Sequence, residues 1–364
     1  MFDINFFKKS KGIKKKIIAS QGLLEASKVY ATFERLRNKR PYVFNIETTN
    51  ACNMRCLMCP RPALMKRPIQ HMDMDLFAKI VRQITPHSNA DLKEFWNFIQ
   101  QEYGIRLEDT NENSFYFYRV ARYLILHGYG EPLLDPHIIE RVALCTAHHI
   151  PTYFSCVPAN IDIAKVTQIM KARLNVIKFS LPSLDDESQK KIQGQRSNFT
   201  ESYRNICGVL EAKSKDPSIT TEIVVTMVQL SDDKDFMRTA NRFMDLWKDK
   251  PVYAYIKSQD NRWFYEKDPK LVCRSHYESQ YCEYPWTSMT IMVDGSVVPC
   301  TQDYNAEMAF GNANSKPLED IWNSQAYDEF RKRHIYGNFP KRYKCVSRCD
   351  QKLVFKRMEA KSHG

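Results

Sequence analysis

The stretch Cys52-Asn-Met-Arg-Cys56-Leu-Met-Cys59-Pro60 decides how the rest of this sequence is interpreted. Its three cysteines are spaced C-x3-C-x2-C and follow the strand-like run Tyr42-Val-Phe-Asn-Ile-Glu-Thr. A structural zinc site or an ordinary iron–sulfur cluster takes four protein ligands. Here the local count is three, because the next cysteine is Cys145. Three thiolates on a [4Fe–4S] cluster leave one iron open for another ligand, and three buried or zinc-binding thiols are the alternative.

At these residues the chain resembles the radical S-adenosylmethionine (SAM) family, whose signature is the same C-x3-C-x2-C. The resemblance implies that Cys52, Cys56 and Cys59 hold a [4Fe–4S] cluster and that SAM binds the open iron. It also implies that the reduced cluster cleaves SAM to methionine and a 5′-deoxyadenosyl radical. An electron donor such as flavodoxin or ferredoxin is then expected.

Alternating strand and helix patterns between Tyr42 and about residue 270 predict an α/β fold with a parallel sheet. The strands are predicted at 42–48, 122–127, 150–156, 176–180, 221–227 and 252–257. Six such units match the partial (β/α)6 TIM-like barrel of the resembled family. Residues 88–118 interrupt the rhythm as an insertion, and we interpret its dense aromatic residues as packing.

A second motif, Gly128-Tyr-Gly130-Glu131-Pro132, directly follows the second predicted strand. Two glycines let the backbone pass close to a ligand, and the carboxylate can accept from an ammonium, although a tight turn is the alternative. In the resembled family this segment binds the amino group of SAM, which implies that role for Gly128, Gly130 and Glu131. Ser180 and Arg196 resemble the family's polar residue on the fourth strand and a following basic residue. A capping serine and a surface arginine are the alternatives.

Cysteines return after residue 270, at Cys273, Cys282, Cys300, Cys345 and Cys349. Cys282 and Cys300 flank a predicted β-hairpin with an Asp-Gly turn at 294–295. The arrangement C-x12-G-x4-C resembles the SPASM/twitch extension of radical SAM enzymes, which implies an auxiliary iron–sulfur cluster of the [4Fe–4S] type. The count suits one cluster on Cys282, Cys300, Cys345 and Cys349, with Cys273 in reserve, and a zinc site on the same thiols is the alternative. The isolated Cys145, Cys156 and Cys207 are predicted to be small buried hydrophobic residues.

The chain divides into a basic helical extension at 1–41, the partial barrel at 42–270 and the auxiliary-cluster domain at 271–364. Of the net charge of +12, residues 1–40 contribute +8, with eleven Lys or Arg against three acidic residues. Charge confined to an arm predicts no nucleic-acid binding. It indicates an anionic surface or an acidic partner, or else a helix packed on the barrel with a solvated basic face. Without a signal peptide or a long apolar run, we expect a cytoplasmic protein.

The resemblance implies a radical SAM oxidoreductase that removes a hydrogen atom from its substrate. A single auxiliary cluster resembles that of family members that dehydrogenate alcohols, which predicts net oxidation of a small polar molecule such as a sugar or cyclitol. The alternatives are a peptide-modifying maturase and a redox-neutral epimerase. From another class, a non-catalytic iron–sulfur or zinc protein is the alternative.

Overall fold

The computed structural model describes residues 1–18, 24–230, 234–258, 282–340 and 344–347. In these ranges nine strands form one sheet: β1 Val43–Ile46, β2 Leu124–Ile125, β3 Thr152–Cys156, β4 Val176–Ser180, β5 Glu222–Gln229, β6 Tyr253–Ser258, β7 Met289–Ile291, β8 Ser296–Val298 and β9 Gly311–Asn312. The α-helices of the same ranges are α1 Ile4–Lys9, α2 Lys11–Ile18, α3 Ala26–Leu36, α4 Met74–Val81, α5 Asn89–Tyr103, α6 Glu112–Phe115, α7 Ile138–Ala147, α8 Ile163–Lys171, α9 Asp186–Gln193, α10 Phe199–Ser214, α11 Lys234–Trp247, α12 Tyr284–Thr287, α13 Leu318–Trp322, α14 Gln325–Tyr336 and α15 Lys344–Ser347.

The sheet order is β6-β5-β4-β3-β2-β1-β7-β8-β9. The strands β1 to β6 are parallel and are separated by helices, so the predicted partial (β/α)6 barrel is confirmed. The predicted hairpin forms as the antiparallel pair β7–β8, and Gly295 at its turn has a φ of 84°. Unexpectedly, β7 also pairs in parallel with β1, so the hairpin continues the barrel sheet.

Alternate residues of the parallel strands face two different layers. One face, including Phe154, Ile177 and Val225, joins the core that the surrounding helices cover. The opposite face, including Tyr153 and Tyr255, points into the barrel and belongs to a separate aromatic core. Because side chains alternate along a strand, the polar residues Lys178 and Ser180 of β4 also lie on this second face.

The insertion at 88–118 closes the base of the barrel. It forms α5, which begins with the Ser88 cap and ends at the left-handed Gly104, then α6 and a π-helical turn over Tyr116–Val120. Phe115 packs against Tyr153 and stacks on Tyr255, with ring centroids 5.8 and 5.3 Å apart. The interpretation of these aromatic residues as packing is therefore confirmed.

The basic N-terminal arm lies against this insertion and the C-terminal part. Phe2 and Phe7 are buried among the aromatic residues of the insertion, and Phe6 stacks on Trp286. Lys8 and Lys14 form ion pairs with Glu94 and Glu283, at 2.6 and 2.9 Å. The arm thus buries its apolar face, which supports the packed helix over the helix that seeks an anionic surface. Among the described residues, no helix has the length and apolar character needed to cross a membrane.

Candidate functional site

The cysteine loop leaves the end of β1 and borders a cavity of about 590 Å³. Four of the side chains around this cavity are guanidinium groups. One of them, Arg67, is neutralised by an ion pair with Glu47, and the other three favour anionic ligands. Its lining residues are Cys52, Asn53, Met54, Arg55, Arg61, Pro62, Met65, Arg67, Ile69 and Arg196. The structure therefore brings Arg196 to the same cavity as Cys52, as the family interpretation of that arginine requires.

The three thiols of the loop influence one another. Burial raises the pKa of Cys56 to about 12, with Cys59 and Cys52 adding to the shift. Burial likewise raises the pKa of Cys59 to about 11. Such thiols ionise at neutral pH when a metal ion compensates their charge, which fits iron as their partner. In the described part of the chain no three His, Cys, Asp or Glu side chains converge at metal-site spacing, so the ligand set remains a prediction from the motif.

The loop is fixed by the C-terminal end of α9. The N–H groups of Arg55 and Leu57 donate to the carbonyls of Gln193 and Ile192, each at 2.9 Å. Gly194, with a φ of 97°, follows, and a Cβ there would lie 3.3 Å from Arg55. The Gln-Gly pair was missed in the sequence, although a glycine directly after a polar helix is a signal for a helix end.

The two glycines after β2 are needed for packing between neighbouring loops. A Cβ on Gly130 would lie 2.1 Å from the carbonyl oxygen of Thr49, and one on Gly128 would lie 2.8 Å from the side chain of Glu47. This close approach brings the second motif against the segment that leads into the cysteine loop. The atoms that crowd the two glycines belong to the protein, so their role in binding SAM stays a prediction.

Glu131 is a buried junction between three strand ends. Its N–H donates to the carbonyl of Ala51 at 2.7 Å, and its carboxylate accepts from the N–H groups of Leu133 and Val157 at 3.0 and 2.9 Å. Burial raises the pKa of Glu131 to about 7. Glu131 is 2% exposed. In this conformation its hydrogen bonds hold the loops together, and little of its surface is accessible to a ligand. Contact with the SAM ammonium remains a prediction.

Ser180 ends β4 and faces the barrel interior. Its Oγ lies 3.3 Å from the Oγ of Ser155, and its carbonyl accepts from the Gln193 amide at 3.3 Å. The same glutamine thus connects Ser180 to the backbone of the cysteine loop. Ser180 is therefore close to the loop, although it does not line the cavity that holds Arg196.

Sequence reasoning missed the link between the cysteine loop and the C-terminal part. Buried Glu47 accepts from the N–H of Val293 at 3.2 Å, and Arg67 Nε donates to the carbonyl of Tyr304 at 2.7 Å. Asn305 bonds with both Leu64 and Lys66 through its side chain. A charged residue directly after the apolar run of β1 was the available signal, since an acid is rarely buried unless it is paired.

The C-terminal cysteines are only partly within the described residues. Cys282 and Cys300 both lie near buried Tyr327, whose pKa is raised by burial and further by these two thiols. Cys345 is buried in α15, and the neighbouring Lys344 forms an ion pair with Glu307 at 2.6 Å. Cys349 and Cys273 lie outside the described residues.

The isolated cysteines mostly behave as predicted. Cys145 and Cys156 are buried, as predicted. Cys207 is only partly buried, so the predicted burial is wrong for this residue. It lies on α10, which packs against α8 and α9.

Comparisons with known proteins agree with this geometry. Residues 282–350 match the SPASM family, described as an iron–sulfur cluster-binding domain. The chain is 21% identical over 290 residues to the S-adenosyl-L-methionine-dependent 2-deoxy-scyllo-inosamine dehydrogenase of Niallia circulans, covering 80% of this chain and 85% of that one.

Two solved structures are similar in fold. The anSMEcpe structure with bound AdoMet aligns with a TM-score of 0.53 at 13% identity, over 86% of this chain and 93% of that chain. The Streptococcus suis SuiB structure bound to S-adenosylmethionine aligns with a TM-score of 0.50 at 16% identity, over 96% and 82%. At these identities the likeness concerns the fold.

A partial barrel with a three-cysteine loop at its first strand end, followed by a cluster-binding domain, defines an iron–sulfur enzyme. These findings support a radical SAM enzyme with a SPASM domain at residues 282–350. Its cofactors are [4Fe–4S] clusters and SAM. Which residues hold them remains a proposal.

Proposed function

We propose that the protein oxidises a hydroxyl-bearing small molecule, such as a sugar or cyclitol, by removing a hydrogen atom from carbon. Cys52, Cys56 and Cys59 hold the cluster that binds SAM, with Arg196 beside the SAM carboxylate. When bound, these cofactors supply the 5′-deoxyadenosyl radical. Four further residues form the part of the site that binds SAM. Ser180 is one of them, and Gly128, Gly130 and Glu131 contribute by holding the strand ends in position.

The observation that carries this proposal is the attachment of the SPASM domain to the cysteine loop. The side chain of Gln302, two residues after Cys300, lies 3.5 Å from the hydroxyl of Tyr129, between the two glycines. Tyr304 accepts from Arg67 and packs on Tyr129, with ring centroids 6.0 Å apart. A cluster on Cys282, Cys300, Cys345 and Cys349 would therefore lie near the barrel mouth, where it can accept the second electron of an oxidation.

The named relative supports the same chemistry, because it is a SAM-dependent dehydrogenase. A peptide substrate and a redox-neutral epimerisation are the competing proposals. We expect a flavodoxin or ferredoxin to deliver the electron that starts each cycle. The basic arm is not proposed to bind an acidic partner, since its apolar face and several of its lysines are engaged within the chain.

The test uses reconstituted protein, SAM, dithionite and candidate polyols deuterated at each carbinol carbon. We expect deuterium in 5′-deoxyadenosine together with a ketone product. Replacing Cys300 by Ala should preserve deuterium transfer and stop ketone formation. Deuterium transfer that returns an epimerised alcohol would contradict the dehydrogenase proposal, and transfer from a peptide alone would contradict the small-molecule substrate.

A further inference from the structure

Two asparagine side chains join the cysteine loop to the loop that follows β3. Asn53 Nδ2 donates to Asn160 Oδ1 at 2.7 Å, and Asn160 Nδ2 donates to Asn53 Oδ1 at 2.9 Å. Each amide thus satisfies the facing donor and acceptor of the other, which fixes the plane of both groups. Asn53 directly follows Cys52 and lines the cavity of the candidate site. The pair therefore acts on the residue next to a proposed cluster ligand.

The asparagine on the far side of this pair is held by its own surroundings. Asn160 ends the 3-10 turn Pro158–Asn160, and its N–H donates to the carbonyl of Val157 at 3.0 Å. The ring of Pro158 restricts the backbone at the start of this turn. The side chain of Asn205 in α10 donates to the Pro158 carbonyl at 3.1 Å. Because the turn is fixed by these contacts, the Asn160 side chain determines the position of Asn53.

Main-chain hydrogen bonds already attach the cysteine loop on both sides of Asn53. The Glu131 N–H donates to the carbonyl of Ala51 at 2.7 Å, and the N–H groups of Arg55 and Leu57 donate to carbonyls of α9 at 2.9 Å. The amide pair is therefore not needed to hold the loop in place. What it adds is the orientation of Asn53, and with it the orientation of the peptide group that joins this residue to the next one.

That peptide group carries the N–H of Met54, which donates to Cys52 Sγ at 3.4 Å. Rotation of the peptide would turn this N–H away from the sulfur and leave the main-chain attachments in place. A donor to a cluster sulfur stabilises the reduced, more negative cluster more than the oxidised one, so it raises the reduction potential.

We propose that Asn53 and Asn160 are positioning residues of the cluster that binds SAM. Their amide pair keeps the Met54 N–H directed at the sulfur of Cys52, and the reduction potential of the cluster is higher as a result. This inference rests on the proposed function, since it requires Cys52 to be a ligand of that cluster. It adds two side chains that contact neither iron nor substrate and that act through the main chain.

The test is a redox titration of the reconstituted holoenzyme, followed by electron paramagnetic resonance. The relevant cluster is the one whose signal changes when SAM is added. Asn53→Ala and Asn160→Ala should each retain all of the iron and shift the midpoint of this cluster to a more negative potential. The double variant should shift it no further than either single variant, because the two side chains act as one unit. Asn241→Ala removes an exposed amide from α11 and should leave the midpoint unchanged.

An unchanged midpoint in both single variants, or shifts that add in the double variant, would overturn the proposal. Loss of iron from Asn160→Ala would also overturn it, because the pair would then hold the loop in place. If only Asn53→Ala fails to load its clusters, Asn160→Ala decides alone, since that residue lies outside the cysteine loop. The titration needs no substrate. A wild-type protein without a SAM-sensitive signal would refute the proposed function and this inference with it, whereas a SAM-sensitive signal with an unshifted midpoint would refute this inference alone.

Discussion

The guanidinium of Arg67 and the carboxylate of Glu47 form a buried two-point ion pair, with Nη1–Oε2 and Nη2–Oε1 distances of 2.7 and 2.8 Å. Glu47 is fully buried at the end of β1, and the Arg67 side chain is 9% exposed. Since both residues also bond to the SPASM domain, this pair joins the cysteine loop to the hairpin that follows Cys282.

Breaking this pair should destabilise the whole assembly. Arg67→Met leaves the Glu47 charge buried without its partner, which typically costs about 3–5 kcal/mol. We expect a correspondingly lower free energy of unfolding in urea for the cluster-free protein. Lys191→Met, in the exposed Glu187–Lys191 pair, is the matched control and should have no measurable effect. Equal unfolding midpoints for the two variants would show that the Glu47–Arg67 pair does not hold the domains together.

Gly130→Ala should displace the cysteine loop. The added methyl group would lie 2.1 Å from the carbonyl oxygen of Thr49, so the backbone must move. We expect less iron bound after reconstitution and weaker SAM binding by equilibrium dialysis. Gly12→Ala makes the same change in α2, where no atom lies within 4 Å, and should leave both quantities unchanged. Full iron content in Gly130→Ala would mean that the two loops tolerate separation.

The cluster assignments predict which cysteines carry iron. Replacing Cys52, Cys56 and Cys59 together by Ala should remove about four irons per chain and abolish 5′-deoxyadenosine formation. Replacing Cys282 and Cys300 should remove a separate set of about four irons. Cys145→Ala removes a buried thiol far from both motifs in sequence and should retain all of the iron. Iron analysis with Mössbauer spectra distinguishes these outcomes, and unchanged iron in the first variant would refute the motif.

His334 should make the fold sensitive to acid. Burial lowers its pKa to about 3, and neither ring nitrogen has a hydrogen-bond partner in the described part of the chain. Between pH 6.5 and 3 the unfolded chain therefore binds a proton that the folded chain refuses, so stability falls as the pH decreases, by about 1.4 kcal/mol per pH unit. His334→Phe should reduce this slope, whereas the same change at exposed His148 should not. Identical pH profiles would contradict the prediction.

Lys178 should make the stability of the fold depend on pH in the alkaline range. Its folded pKa of about 7 lies below its ordinary value of 10.5, so the unfolded chain binds more protons between these values. Stability of the cluster-free protein should therefore rise as the pH increases from about 7 to 10. Lys178→Met should remove this rise and increase stability at pH 7. A less stable variant at pH 7 would mean that the ammonium already has a compensating partner.

The sequence predicted the parts of the fold that depend on local pattern. The strands from 42–48 to 252–257 and the Asp-Gly hairpin form close to their predicted bounds, because alternation and turn residues are local signals. The Glu47–Arg67 pair was not predicted. Its two residues lie 20 positions apart on either side of the cysteine loop, and a single sequence does not tell which charges the fold brings together.

The pairing of β1 with β7 also has a consequence for biosynthesis. Asn45 and Thr290, bonded at 2.8 Å, are 245 residues apart in sequence. Until the C-terminal hairpin has left the ribosome, one side of β1 keeps its backbone groups unpaired beside the nascent cysteine loop. Contacts of such long sequence separation form slowly, so this edge of β1 and the adjoining loop stay open to oxygen and to other chains until the hairpin has been synthesised. Iron delivery and chaperone protection should therefore matter more for the yield of this enzyme than the intrinsic affinity of its thiols.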